Sequence, residues 1–159
     1  MIDMMFDHYP RIHNLHRDQL VPRPIEEVFG FFAEASNLER ITPPWLNFAL
    51  ASDHPVQMGA GTLIEYRLRL HRIPLRWISR IEAWEPGRAF EDVQVKGPYR
   101  LWHHRHEFRR AGGGTLVQDH VRYALPAGPL GELAHAAFVE RDLARIFAFR
   151  YAAVKEILA

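Results

Sequence analysis

Three hydrophobic periods follow one another along the chain. His13 to Leu20 alternates, with Asn14, His16 and Asp18 against Leu15 and Arg17, and is expected to form a first strand. Val21-Pro22-Arg23-Pro24 interrupts it. Pro24 suits the opening of a helix, because the first helical turn has no use for the N–H that proline lacks. Ile25, Val28, Phe29 and Phe32 then recur at helical spacing. A second short helix is expected after Ser36 or Asn37 as cap, over Leu38-Glu39-Arg40-Ile41, with Pro43-Pro44 ending it. From Asn47 the period returns to two. Turn signals recur at Gly59-Ala60-Gly61, Arg72-Ile73-Pro74, Glu85-Pro86-Gly87, Gly97-Pro98 and Gly112-Gly113-Gly114, and the runs between them are rich in Trp, Tyr, Phe, Ile and Val. Hairpin spacing of this kind predicts an antiparallel meander: six strands after the helices, seven in all. Pro126-Ala127-Gly128-Pro129 closes the sheet. Leu133, Ala137, Leu143, Ile146, Phe147, Val154 and Leu158 then recur at threes and fours, and no Pro or Gly interrupts residues 132–159. A helix of about 28 residues would run ~42 Å, and the sheet is the partner large enough to bury its apolar stripe. The expected fold class is therefore α+β, a curved antiparallel sheet of about seven strands wrapped around a long C-terminal helix.

Alternation also assigns faces. On the third strand Thr62, Ile64, Tyr66, Leu68 and Leu70 are expected inside; on the fourth, Trp77, Ser79, Ile81 and Ala83; on the sixth, Trp102, His104, His106 and Phe108; on the seventh, Val117, Asp119, Val121, Tyr123 and Leu125. The fifth is ambiguous: Phe90, Asp92 and Gln94 share one face, Ala89, Glu91, Val93 and Val95 the other, and the pattern slightly favours the second set as buried. A four-residue loop Ala111–Gly114 would pair Arg110 with Thr115, His106 with Asp119 and Trp102 with Tyr123, and opposed side chains can touch. The inner face thus carries Tyr66, Ser79, His104, His106, Asp119, Tyr123 and, depending on the fifth strand, Asp92 and Gln94, inside an apolar shell. Buried polar groups must bond to one another or to a ligand.

Composition narrows the class. The 159 residues are 48% apolar and 25% charged, with Phe 10, Tyr 5 and Trp 4, ordinary for one globular domain spanning 1–159, with residues 1–11 as a loosely held leader. The formal charge of +1 argues against a nucleic-acid binder, which concentrates basic charge on one face. The absence of cysteine excludes disulfides, thiolate catalysis and Cys-based zinc sites. Met1 to Asp7 carries acids where a signal peptide needs a basic region, and no stretch approaches the ~20 apolar residues of a membrane span. A cytoplasmic protein, monomer or homodimer, without integral membrane association is expected.

Particular segments match a known pattern. Ile41-Thr42-Pro43-Pro44-Trp45-Leu46, Leu68-Arg69-Leu70 with Pro74-Leu75-Arg76-Trp77, Gly97-Pro98-Tyr99 followed by Trp102 to Phe108, and Asp119 with Tyr123-Ala124-Leu125-Pro126 resemble the SRPBCC, or START-like, superfamily, and more closely its bacterial polyketide cyclase/dehydrase branch. The resemblance covers roughly residues 13–158 and implies a helix-grip fold with an internal cavity. Superfamily members bind lipids, polyketides, plant hormones and aromatic compounds, and some catalyse cyclisation or dehydration. No universal catalytic motif comes with it, so function must be argued from the cavity.

The expected function is binding of a hydrophobic or aromatic small molecule, lipid- or polyketide-like, between sheet and C-terminal helix. Tyr66, Trp77, Ser79, Asp92, Trp102, His104, His106, Phe108, Asp119, Tyr123, Phe147 and Arg150 are the candidate ligand-binding residues. Arg150 lies near the inner stripe of the last helix, where it meets a carboxylate or a ligand acid, or simply covers apolar surface with its stem. The alternatives are a cyclase or dehydratase using His104, His106 and Asp119 as acid–base groups, and a module that docks another protein. The bland reading is a satisfied polar network. His-X-His puts two rings on one face, but with Asp119 as third ligand the set is incomplete, so no metal and no cofactor are expected. Trp45 is expected as a lid on the core or a gate over the cavity, and Arg67, Arg69, Arg76 and Arg80 as a solvated outer face.

Overall fold

The computed structural model describes residues 10–53 and 55–159. The leader expected over 1–11 therefore lies almost wholly outside the described residues. The chain runs β1 (His13–Val21), α1 (Ile25–Ala33), a 3-10 segment (Ala35–Ile41), a 3-10 turn (Pro44–Leu46), β2 (Ala49–Leu50), β3 (Leu63–Leu70), β4 (Ile73–Glu85), β5 (Ala89–Lys96), β6 (Leu101–Ala111), β7 (Gly114–Ala124), α2 (Gly128–Ala134), a π-helical turn (His135–Val139) and α3 (Glu140–Ile157). All seven strands form one antiparallel sheet in the order β1-β7-β6-β5-β4-β3-β2. The β6–β7 register is the expected one, with His106 opposite Asp119 and Trp102 opposite Tyr123. The loop is shorter than expected, because Ala111 pairs with Gly114 and only Gly112-Gly113 turn, both at positive φ.

Several local expectations are corrected. The 3-10 segment is capped by Glu34, whose carboxylate accepts bonds from the Ser36 amide and hydroxyl, and not by Ser36 or Asn37. The β3–β4 turn is His71-Arg72 alone, both at positive φ, and Ile73-Pro74 already belong to β4. In β4 a bulge at Glu82 sets Ile81 opposite Asp92 and Ala83 opposite Glu91. The extra residue inverts the alternation, so Trp84, not Ala83, packs inward, 5.4 Å from both Phe29 and Phe90 ring centres. The same shift settles β5. Phe90 and Asp92 share the inner face, and the weak preference for Glu91, Val93 and Val95 is wrong: Val95 is exposed, and Glu91 bonds to His103 and Arg105 on the outer side.

The C-terminal helix starts at Gly128, earlier than expected, because Pro129 sits in its first turn, where proline is tolerated. Gly131 has no room for a side chain: a Cβ there would lie 2.1 Å from the Pro126 carbonyl oxygen. The π-helical turn then rotates the apolar stripe. Leu133 is 67% exposed and Ala137 is exposed, against expectation, while Leu143, Phe147 and Val154 are buried. One inserted residue offsets the helix face by about 100°, which a constant 3.6-residue period does not foresee.

Helix α1 fills one half of the concave sheet. Ile25, Val28, Phe29 and Phe32 pack with Phe90, Phe108, Val117 and Val154, and Phe108 meets Phe29 and Phe32 edge-on at 5.2 and 5.5 Å. The other half, under β3 and β4, is covered at its edge by Ala35, Leu38, Phe48 and Met58 and is left partly open. Trp45 lies outside the cavity, half exposed, against Phe149 and beneath the Arg145 guanidinium. On the outer face Arg76 pairs with Glu65 and Arg80 with Glu82. No helix among the described residues is long and apolar enough to cross a membrane.

These contacts carry two expectations for stability. Truncating Phe108 to Ala removes a fully buried ring between α1 and the sheet and is expected to cost about 3–5 kcal/mol in urea unfolding; a loss below about 1 kcal/mol would show that α1 does not depend on it. Arg72→Gly relieves a left-handed conformation worth roughly 1–2 kcal/mol against a Gly entropy penalty of roughly 0.5–1 kcal/mol. A net gain of about 0.5–1 kcal/mol is expected in the same assay.

Candidate functional site

The unfilled half of the sheet encloses a cavity of about 190 Å³. Apolar cavities of roughly 150 Å³ accept benzene, so this one has room for an aromatic ring with substituents. Its walls include Ile64, Tyr66, Leu68, Leu70, Leu75, Trp77 and Ile81 from β3 and β4, Leu38, Leu46, Phe48 and Met58 from the segment before β3, Tyr99 just ahead of β6 and Trp102 in it, and Leu143, Ile146 and Phe147 from α3. Tyr99 is held in place by Gln94, whose side-chain amide bonds to both its carbonyl and its N–H, at 2.7 and 3.1 Å. Trp77 and Trp102 meet edge-to-face at 5.3 Å. His71 at the β3–β4 hairpin tip contacts Asp142 of α3 at 2.5 Å, tying the hairpin to the helix beside the cavity.

At the boundary between the filled and open halves lies a compact polar group. Strand pairing sets Asp92 opposite His104 and His106 opposite Asp119, so two carboxylates flank two imidazoles across β5, β6 and β7. The imidazole ring centres are 3.8 Å apart. Asp119 Oδ1 accepts from His104 Nε2 at 2.8 Å and lies 2.9 Å from His106 Nδ1, the latter out of line for a hydrogen bond. On the other side Asp92 Oδ2 is 3.3 Å from His106 Nε2 and 3.9 Å from His104 Nδ1. Trp77 donates to Ser79 Oγ at 3.0 Å, and Ser79 approaches Asp92 at 3.5 Å. Arg150 reaches in from α3, its guanidinium 5.6 Å from the Phe32 ring centre and 5.9 Å from that of Phe147. Its Nε is buried with no hydrogen-bond partner among the described residues.

Burial and neighbours divide the titrations. Burial, and then the adjacent His106, push His104 down to about 4 despite the pull of Asp119 and Asp92. Burial also opposes charge on His106, but its contacts with Asp119 and Asp92 outweigh that and hold it above the ordinary histidine value. Burial would raise both carboxylates; the histidines and Arg150 overcome it, leaving Asp92 low and Asp119 well below the carboxylate range. The surroundings thus keep both carboxylates ionised, favour the protonated form of His106 and favour the neutral form of His104. Tyr66 stays a neutral phenol, raised by burial and then by Asp92.

Of the candidates named from sequence, Tyr66, Trp77, Ser79, Asp92, Trp102, His104, His106, Phe147 and Arg150 line this one cavity. Three do not. Phe108 belongs to the core under α1, because its neighbours Phe29 and Phe32 fill the space before it. Asp119 sits behind the histidines and reaches the cavity only through them. Tyr123 points toward the π-helical turn, where its hydroxyl lies 2.8 Å from His135 Nε2. Tyr99, Leu75 and Phe90 were not among the candidates; the Gly97-Pro98 turn could have flagged Tyr99, and Phe90 shares its face of β5 with the candidate Asp92.

Residues 21–149 match the family described as polyketide cyclase/dehydrase and lipid transport. The chain belongs to that family. No curated protein matches it. Among solved structures it is similar to the ZhuI aromatase/cyclase from Streptomyces sp. R1128, at 14% identity over 94% of this chain and 98% of that one, with a TM-score of 0.66. A protein from Thermus thermophilus, TTHA0849, is 20% identical over 91% and 95%, with a TM-score of 0.67. Ginseng major latex-like protein 151 from Panax ginseng is 10% identical over 93% and 98%, with a TM-score of 0.68. At these identities the likeness is one of fold, and the fold is the helix-grip fold expected from the sequence.

Two outcomes test the electrostatics. In nitrogen-15 imidazole spectra His104 should keep its neutral Nε2–H tautomer down to about pH 4. Because its folded pKa lies below the unfolded value of 6.5, its contribution to stability falls as pH drops from 6.5 toward 4; that of His106, raised, is complete below 6.5 and is lost as pH rises through its folded pKa. Asp119→Asn should lower the His106 pKa, since burial is then opposed by Asp92 alone, and Asp119→Ala should cost about 3–5 kcal/mol in chemical unfolding. An unchanged His106 titration in Asp119→Asn would refute the arrangement.

Proposed function

We propose that the protein binds one hydrophobic, aromatic or polyketide-like molecule in this cavity, with an acidic or oxygen-bearing end directed at Arg150 and His104. The observation that carries this reading is the buried, unpartnered Nε of Arg150 in a chamber whose walls are mostly apolar. A donor that is buried without an acceptor costs roughly 1–3 kcal/mol, which an anionic or carbonyl oxygen of a ligand would recover. Concave apolar walls with few convergent polar groups are the usual form of a small-molecule site. The family description, which joins cyclases and dehydrases with lipid transport, agrees with an apolar ligand.

A cyclase or dehydratase role is the second reading, and His106 is the observation that favours it. A buried histidine whose protonated form is favoured by two carboxylates, and which lines the chamber, can donate a proton to a carbonyl or a departing hydroxyl. Against it, His104 with a pKa of about 4 is a weak base at neutral pH, and no activated nucleophile accompanies the pair.

The test is titration of carboxylated and neutral polycyclic aromatics, read through quenching of Trp77 and Trp102. Arg150→Met should weaken the carboxylated compounds about 10–100-fold, the worth of one charged hydrogen bond, and leave neutral analogues within about threefold. No quenching by any compound of the panel, together with an empty protein on native mass spectrometry from its host, would overturn the binding reading. Turnover of a bound polyketide that disappears in His106→Gln, with binding retained, would establish the enzymatic one.

A further inference from the structure

We infer that Asp92, His104 and His106 form a binding site for a divalent transition-metal ion, such as Zn²⁺, Fe²⁺ or Co²⁺, at the floor of the cavity. The ligand-bearing atoms of the three residues lie within 4.8 Å of one another. Metal–ligand bonds of about 2.0–2.2 Å put neighbouring ligand atoms roughly 3–3.5 Å apart. His106 Nε2 is already 3.3 Å from Asp92 Oδ2, and His104 Nδ1 at 3.9 Å needs to close by only a few tenths of an ångström.

The second carboxylate strengthens the assignment. A metal-bound histidine usually donates its other ring N–H to a carboxylate, which fixes the tautomer and turns the lone pair toward the ion. Asp119 makes that bond to His104 Nε2, at 2.8 Å, and stands 2.9 Å from His106 Nδ1 on the side away from Asp92, out of line for a hydrogen bond. The nitrogens on the far side are the two that face Asp92. Alternation along β6 and β7 alone offers only Asp119 as a third ligand, an incomplete set. The pairing of β5 with β6 supplies Asp92 in front and leaves Asp119 behind as the orienting group.

Two imidazoles and one carboxylate on one side of an ion, with positions left open toward a cavity, is a donor set that suits zinc or ferrous iron and not calcium or magnesium. The surroundings exclude water from the other side: Phe90 stacks on His106 at 4.3 Å and Phe147 lies 5.8 Å from His104. A dication balances the two carboxylates, and Arg150 then leaves the site with a positive excess facing the chamber. The metal site stands on this geometry alone and does not depend on which organic ligand the cavity takes. A second group of potential ligands, His13, Glu132 and His135, lies at the π-helical turn. It is partly exposed, and His135 Nε2 is already engaged by Tyr123, so it serves as the internal control.

The experiment uses the full chain stripped with chelator and titrated with Co²⁺ and Zn²⁺, with no organic ligand added. One Co²⁺ per chain with a visible d–d absorption band is expected. Asp92→Asn should weaken it at least about 100-fold, Asp119→Asn about 10–100-fold with unchanged stoichiometry, and His135→Ala less than about twofold. Because histidine variants can fail to fold, nitrogen-15 spectra of the zinc-loaded wild type give a reading without mutation: metal-type shifts at His104 Nδ1 and His106 Nε2. Absence of the cobalt band in the wild type, or binding that survives Asp92→Asn and disappears in His135→Ala, would overturn the proposal. Neither result bears on aromatic binding, which is measured separately.

Discussion

Two ionised carboxylates on the inner face of an apolar sheet are tolerable only if cations are fixed beside them, and that constraint organises this molecule. Asp92 and Asp119 lie on different strands, so the imidazoles that offset them must stand between, on β6, at alternate positions. Asp119 alone would suffice for one ring. The second carboxylate, the second ring and Arg150 from the opposite wall make a group whose members offset one another only as a set. Charge burial of this kind is weak evidence for stability, since apolar replacements are often as stable. Its cost is the reason to connect the cluster with ligand or metal chemistry.

The cavity has its place because the sheet is larger than the helices that cover it. Helix α1 and its phenylalanines fill the end where β5, β6 and β7 begin or end their hairpins, and the bulge at Glu82 brings Trp84 into that plug. Under β3 and β4 the cover is thinner: Ala35 and Leu38 of the 3-10 segment, Phe48 and Met58 pack at its edge, and Leu143, Ile146 and Phe147 of α3 close the chamber over it. The polar group marks the border between these halves. Polar residues there meet both the core, which holds their rings rigid, and the chamber, where their free valences point.

The C-terminal helix connects the two regions. Its π-helical turn lets the segment from Gly128 follow the Pro126 corner while α3 presents Phe147 and Arg150 to the cavity. The same turn brings His135 to Tyr123, which explains why Tyr123, though on the inner face of β7, is not part of the chamber. A helix of uniform period would have aimed Leu133 inward and moved the later side chains away from their targets.

Much of this was legible in the chain. Period-two runs separated by Gly and Pro turns, followed by a long period of threes and fours, are local patterns, and they determined the seven antiparallel strands, the terminal helix and the inward faces of β3, β6 and β7. The glycine run also pointed to His106 facing Asp119, because the expected four-residue loop Ala111–Gly114 and the observed turn Gly112-Gly113 leave the same register. What the tertiary structure decided was everything that depends on a one-residue insertion or on contacts distant in sequence. The bulge at Glu82 inverted β4 beyond Ile81, the pairing of β5 with β6 turned Asp92 inward, and the π-helical turn rotated the last helix. None of these leaves a periodic signal, because each is stabilised by packing against a neighbouring element and not by the residues it is made of. The sequence by itself thus determined the fold and most of the side chains near the site; only the assembled sheet decided that Asp92 stands before the histidines and Asp119 behind them.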